Sequence, residues 1–324
     1  MALFIKQFAL VQRNGNRLDQ GKATCLHFFL HRLLKTFFIF ILFSLSIFSQ
    51  PVIAEPTTQF SKNARIVSIG GSLTEIVYAL GAQDQLVARD STSVYPQEAL
   101  KLPVLGYMRA LSPEGVLSLA PEGILLVEGS GPPSTIEILK KASIPLVIIP
   151  ENYSRESVIE KIRLVGKALH REAEAAALIK KVSGDFVDND ALLAKVTKPK
   201  RVLFVFSIQN GRVMASGTDT AADSMIKLSG GINAISDYKG YKLLNSEALL
   251  KSNPDVILFV THRGKSTNLE KILAIPAVQA TNAAKNNAIK QMEVMYLLGF
   301  GPRTADASRE LINIFYGASQ NGKS

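Results

Sequence analysis

Two stretches of this chain constrain its fold more than anything else in it. LSPEGVLSLAPEGILL, residues 111–126, lies without a gap over LNSEALLKSNPDVILF, residues 244–259. The copies share a glutamate, a leucine, a proline followed by an acid, and a closing run of strand formers. Each predicts a short capped helix that passes through a proline turn into a buried strand. One such unit in each half of the chain predicts two similar lobes rather than one large sheet.

The surrounding pattern agrees. From Arg65, short β-branched runs alternate with helical stretches (RIVSIG, SLTEIVYALG, QLVARD, and later EGILLVEG, STIEILKKAS, IPLVIIP), with Gly and Pro at the joints. That alternation predicts parallel βα units, an α/β fold in both lobes, and a first lobe over residues 63–153. Residues 154–196 carry Val158, Ile162, Val165, Leu169, Ala173 and Ala176 at three- and four-residue spacing. They predict one long bridging helix of roughly 60 Å, capped by Ser154 or Ser157 and bent or ended at Gly184. The alternation resumes at KPKRVLFVF and fills a second lobe over 197–318, with a ligand cleft expected between the two.

Composition sets the class. With 324 residues, 47 % hydrophobic and 20 % charged, the chain is that of a packed globular protein large enough for two domains. Its start reads differently. Arg32 and Lys35 precede an apolar run from Phe37 to Phe48 and the small-residue ending Val52-Ile53-Ala54. This predicts a secretory signal peptide over residues 1–54, cut after Ala54, and an exported, periplasmic protein. The run is shorter than the roughly 20 residues of a membrane span. Cys25, the single cysteine, would leave with the leader, so neither disulfides, thiolate metal sites nor a lipid anchor are expected in the mature chain. Six basic residues and one aspartate leave too, and the net charge falls from +10 to +5. The remaining basic residues form no stripe interleaved with aromatics, which speaks against a nucleic-acid partner.

Enzyme chemistry is scarce. His170 and His262 are not at metal-ligand spacing, and no GxSxG, Walker loop or HExxH is present. Gly70-Gly71 stands between a strand and a helix, where a plain βα turn explains it better than a phosphate loop. Tyr107 and Arg109 are more telling. In an extended segment, positions i and i+2 share a face, so the guanidinium can meet the phenol oxygen and favour its ionised form. A phenolate is a hard oxygen donor suited to ferric iron, and tyrosine is a haem ligand type; a solvated loop pair remains the plainer reading. Loops that follow matching strands, EGSGPPST (128–135) and THRGKST (261–267), are placed to reach a cleft ligand, with Arg263 and Lys265 for carboxylates and His262 beside them. Glu114 and Glu247 occupy equivalent places in the two repeats. Either they serve their helix starts, or they form paired acidic knobs for a two-fold partner.

RIVSIGGSLTEIVYALG, YPQEALKLPVLGYMRALSPEGVLSL, EGSGPPSTIEILKKASIPLV and TAADSMIKLSGGINAI resemble the periplasmic haem-binding proteins of bacterial haem ABC importers. The resemblance runs from about Arg65 to Gly317, and Y-x-R followed by LSPEG is its most specific part. It implies two α/β lobes bridged by one long helix, a single haem held in the cleft, and no enzymatic activity. It further implies Tyr107 as the axial iron ligand, Arg109 as its hydrogen-bond partner, Arg263 against the haem, and Glu114 and Glu247 docking on an inner-membrane permease dimer. Where some relatives carry a second, histidine ligand, this chain reads Ile208-Gln209-Asn210. The expected iron is therefore five-coordinate in a monomeric carrier, with His262 as the other candidate ligand and only a small lobe motion on binding. A ferric-siderophore or cobalamin carrier of the same fold, and a periplasmic haem-dependent enzyme, are the alternatives.

Overall fold

A computed structural model describes residues 59–261 and 269–320. The expected signal peptide, His262, Arg263 and Lys265 lie outside the described residues.

The first half folds as β1 (Ile66–Ile69), α1 (Gly71–Ala79), β2 (Leu86–Arg89), α2 (Pro113–Leu117), β3 (Gly123–Val127), α3 (Pro133–Lys141) and β4 (Leu146–Ile149). Its four strands form a parallel sheet in the order β2-β1-β3-β4. Then come α4 (Arg155–Ala168) and α5 (Glu172–Leu193). The second half runs β5 (Arg201–Gln209), β6 (Arg212–Ser216), α6 (Ala221–Leu228), β7 (Ile232–Asn233), β8 (Tyr241–Leu243), α7 (Ser246–Ser252) and β9 (Val256–Thr261). After the gap it continues with α8 (Leu269–Leu273), α9 (Pro276–Gln279), α10 (Asn282–Lys285), β10 (Ile289–Glu293), α11 (Val294–Leu298) and α12 (Thr304–Gln320). Its sheet has the order β10-β9-β5-β6-β8, with β7 also on β5. Two α/β lobes are thus present, as expected.

The two lobes differ at one point that the alternation alone does not reveal. β5 and β6 pair antiparallel, closed by Asn210 and Gly211 at φ 49° and 72°. Asn-Gly with both residues left-handed is the favoured two-residue hairpin turn.

The helical region also departs from expectation: residues 154–196 do not form one helix. α4 ends at Leu169, His170 turns left-handed at φ 56°, and α5 starts at Glu172. Three local contacts impose the break. Arg171 N donates to Gly166 O at 2.8 Å, and His170 Nε2 meets Phe60 O at 2.8 Å. Any Cβ on Gly166 would lie 2.4 Å from Ala175 Cβ, so only glycine lets the two helices approach this closely. The pair folds back on itself, and Arg155 at the start of α4 forms an ion pair with Asp190 near the end of α5 while stacking over Phe186. Ser154 caps α4 as expected, accepting from Ser157 N, whereas Gly184 sits unremarked inside α5. The long bridging helix is α5 alone, about 33 Å at 1.5 Å per residue. One flank meets α4, and Asn189 ties the other to α12 through Ala305 O (2.8 Å) and Arg309 Nε (3.0 Å).

Strand alternation divides each sheet between two cores. On β3, Ile124 and Leu126 face an outer cluster, and Leu125 and Val127 face inward. On β5, Leu203 and Val205 face a second outer cluster, and Val202 and Phe204 face inward. The two inward faces belong to one continuous apolar cluster that includes Val158, Val182 and Leu311 from α4, α5 and α12. The lobes therefore share a core instead of being two separate bodies on a hinge.

The two copies of the repeat share the same pattern of caps, turns and fastenings. Ser112 caps α2 by accepting from Gly115 N, and Asn245 caps α7 by accepting from Ala248 N. Ala120 and Asn253 are both left-handed, at φ 45° and 32°, each just before its proline. Glu122 accepts from Arg65 N at 2.8 Å, and Asp255 accepts from Arg201 N at 2.9 Å. The acid after the proline thus fastens its loop to the entry of a neighbouring strand in both lobes.

Candidate functional site

A cavity of about 850 Å³ opens between the lobes, within the usual 300–1,000 Å³ of small-molecule sites. Tyr107 and Arg109 line it from the first lobe. Leu105 N donates to Arg89 O (2.9 Å) and Ser91 N to Gly106 O (2.7 Å), which anchors the approach to Tyr107 beyond β2. Ala110 N donates to Tyr107 O (2.8 Å), so the segment is a turn, not the extended strand assumed from spacing. The expected contact forms all the same: Arg109 Nη1 donates to Tyr107 Oη at 3.1 Å. Tyr107 keeps 44 % of its surface exposed.

Gly70 and Gly71 line the same wall, but their N–H groups are engaged. Gly70 N donates to Asp90 Oδ1 and Gly71 N to Thr92 Oγ1, both at 3.0 Å. Asp90, fully buried, also accepts from Ser93 Oγ and from Thr92 N and Oγ1. The plain βα turn is the correct reading. A Cβ on Gly71 would lie 2.5 Å from Thr92 O and 2.9 Å from Met295 Cε, so here α11 of the second lobe presses on the first.

Two ion pairs, each with one buried partner (Lys161 and Glu75), help to join the lobes at the cavity. Lys161, wholly buried on α4, lies 2.6 Å from Glu151 and donates to Phe300 O of the second lobe at 3.1 Å. Burial pushes the Glu151 carboxyl up and the Lys161 amine down, while their mutual attraction opposes both shifts. Arg303 likewise reaches back to Glu75 on α1, with its N and Nη2 at 3.1 and 2.8 Å from the carboxylate, and stacks over Tyr95 at 3.5 Å. Both pairs grip the 300–303 segment.

Sequence reasoning missed the rest of the cavity. Tyr153, beside the floor, packs on Phe300 at 5.3 Å, and burial raises its phenol while Arg109 lowers it. Phe206, Met214 and Tyr241 line the second lobe's wall. Of the loop 128–135, Glu128 lines the cavity and accepts from Glu151 N at 3.0 Å. The described residues contain no group of three or more His, Cys, Asp or Glu that could hold a metal ion.

Glu114 and Glu247 do not reach the cavity. Each is exposed in the first turn of its short helix, at matching positions of the repeat. Ser112 Oγ donates to Glu114 at 2.7 Å and holds its carboxyl below the usual range.

The family model for periplasmic binding proteins matches residues 66–294. The periplasmic heme-binding protein BhuT, solved in complex with two hemes, is 36 % identical over 79 % of this chain and 98 % of its own, with a TM-score of 0.74. The uncharacterized ABC transporter substrate-binding lipoprotein YvrC of Bacillus subtilis is 29 % identical over 78 % of this chain and 80 % of its own. A vitamin B12-binding protein of Yersinia pestis is 26 % identical over 60 % of this chain and 68 % of its own. These are solute-binding transport proteins, not enzymes. Among the described residues, no helix is long and apolar enough to cross a membrane.

Proposed function

Because the chain belongs to the periplasmic binding protein family, a partner of ABC permeases, we propose that it carries ferric haem through the periplasm, exported there by its N-terminal leader. The observation that carries this reading is the 3.1 Å bond from Arg109 to a half-exposed tyrosine oxygen on the wall of an interlobe cavity. Tyr107 is the axial ligand in this reading. A phenolate supplies the hard anionic donor that ferric iron prefers, and the guanidinium offsets its charge. One haem per monomer fits a cavity of about 850 Å³. The 36 % identity to BhuT over nearly all of that protein supports haem as the cargo. Arg263 as a haem contact and His262 as the other candidate ligand belong to the same proposal.

Delivery follows from the repeat. Glu114 and Glu247, exposed at equivalent positions, offer a two-fold permease one carboxylate per lobe. Reversing both (Glu114→Lys with Glu247→Lys) should abolish haem-dependent growth through the importer while leaving hemin affinity unchanged in vitro.

The decisive experiment is a hemin titration of the purified protein followed by absorption, with Tyr107→Phe alongside. Saturable one-to-one binding with a high-spin ferric tyrosinate spectrum, lost in Tyr107→Phe, is the expected result. Binding that survives the substitution moves the ligand to His262. The vitamin B12-binding relative makes cyanocobalamin the second ligand to titrate, and tight binding of it without hemin binding would replace haem by a corrinoid.

A further inference from the structure

The repeat extends one element further than its helix and strand. Gly106-Tyr107 stands shortly before the cap Ser112, and Gly240-Tyr241 stands, with a slip of one residue, before the cap Asn245. Both glycines have positive φ, 93° and 76°, and both tyrosines line the cavity from opposite lobes. Their surroundings differ in kind. Tyr107 has a guanidinium on its oxygen. Tyr241 has aromatic rings against its own, Phe206 at 5.4 Å and Phe204 at 6.4 Å. The cation next in sequence, Lys242, is turned away and sits over the Tyr238 ring at 4.9 Å.

We propose that Tyr241 is the specificity-determining platform of the far wall: one face of a flat tetrapyrrole lies against Tyr241, Phe206 and Met214, so the site recognises the macrocycle independently of its metal. The inference rests on the haem reading above. The wall has the required build. Phe206, Met214 and Tyr241 come from neighbouring strands β5, β6 and β8, and β6 pairs with both of the others, so the side chains share one sheet surface. The frame holding Tyr241 is set before any ligand arrives. Gly217 N donates to Gly240 O (2.8 Å), Gly240 N donates to Thr218 O (2.9 Å), and Tyr238 Oη donates to Ala215 O (3.0 Å). A Cβ on Gly217 would lie 2.1 Å from Tyr238 O, so this packing admits only glycine. Such pre-organisation lowers the ordering cost of binding. Burial raises the Tyr241 phenol, while its bond with Thr220 and the charge of Arg109 oppose the shift.

The test compares hemin with metal-free protoporphyrin IX on the purified protein, by absorption and fluorescence titration. If the unsubstituted protein fails to bind hemin, the haem reading itself fails; the outcomes that follow apply once hemin binds. Protoporphyrin IX should bind, and Tyr107→Phe should weaken it far less than it weakens hemin. Tyr241→Ala should weaken both ligands about 10- to 100-fold, the scale on which removing an aromatic platform under a flat heterocycle acts. Tyr241→Phe should bind both ligands as the unsubstituted protein does and keep the ferric tyrosinate spectrum. Should Tyr241→Ala melt early, Tyr241→Leu keeps apolar bulk over Phe206 without the flat face, and the same weakening is expected. The proposal is overturned if protoporphyrin IX does not bind, if the Ala or Leu variant holds both ligands undiminished, or if Tyr241→Phe alters the ferric spectrum as loss of an iron ligand does.

Discussion

The first lobe and the second share a frame and divide the work. In each, a capped helix start, a left-handed residue, a proline and an acid lead into a buried strand. In each, a glycine-tyrosine pair precedes that unit and its tyrosine lines the cavity. The two tyrosines are similarly exposed, at 44 % and 38 %, and what differs is their company: a guanidinium in the first lobe, Phe204 and Phe206 in the second. The frame is backbone chemistry, satisfied by any residue with the right turn preference. The cleft is side-chain chemistry, set afresh on each wall. One unit used twice therefore yields two unlike walls.

The comparison would break most visibly if the lobes were independent bodies. Lys161→Met removes one partner of the buried pair that ties α4 to Phe300 and leaves Glu151 uncompensated. It should cost about 3–5 kcal/mol in urea unfolding. The shared core predicts one shifted transition, and two separate transitions would show that the lobes fold apart. A finer test treats the repeat as symmetric. Ser112→Ala and Asn245→Ala each delete a cap and should each cost about 1 kcal/mol by the same measurement. Unequal losses would mean that the shared geometry hides unequal roles. Effects of opposite sign, no larger than these, should come from the left-handed pair. Ala120→Gly relieves a conformation that Ala adopts reluctantly and should stabilise by about 1 kcal/mol. Asn253→Gly should gain only a few tenths of that, because Asn tolerates the left-handed region.

Much of this was legible in the residues. Strand and helix alternation, the capped units and the Tyr107–Arg109 contact all rest on local spacing, and local spacing is what a sequence displays. The break at His170 was hidden because α4 and α5 carry the same apolar period, with no proline or glycine at the turn itself. The signals lie elsewhere: Gly166 matters only through its distance to Ala175, a tertiary fact. The β5–β6 hairpin is readable in Asn210-Gly211, a strong turn signal, but the strand and helix alternation around it predicts parallel units instead. The far wall was least legible. Phe206, Met214 and Tyr241 are scattered over three strands and meet only through sheet pairing. Tyr241 alone left a trace, as the second glycine-tyrosine pair.

The continuous core and the two grips on residues 300–303 have a consequence for traffic at the membrane. With the lobes sharing a core and gripping residues 300–303, the spacing between Glu114 and Glu247 should change little when cargo enters. A receptor that reads only this spacing has no differential affinity with which to prefer cargo. If the two glutamates dock on an importer as proposed, empty carriers should compete with full ones, so uptake should fall when the carrier is produced in excess of its ligand and recover as ligand is added.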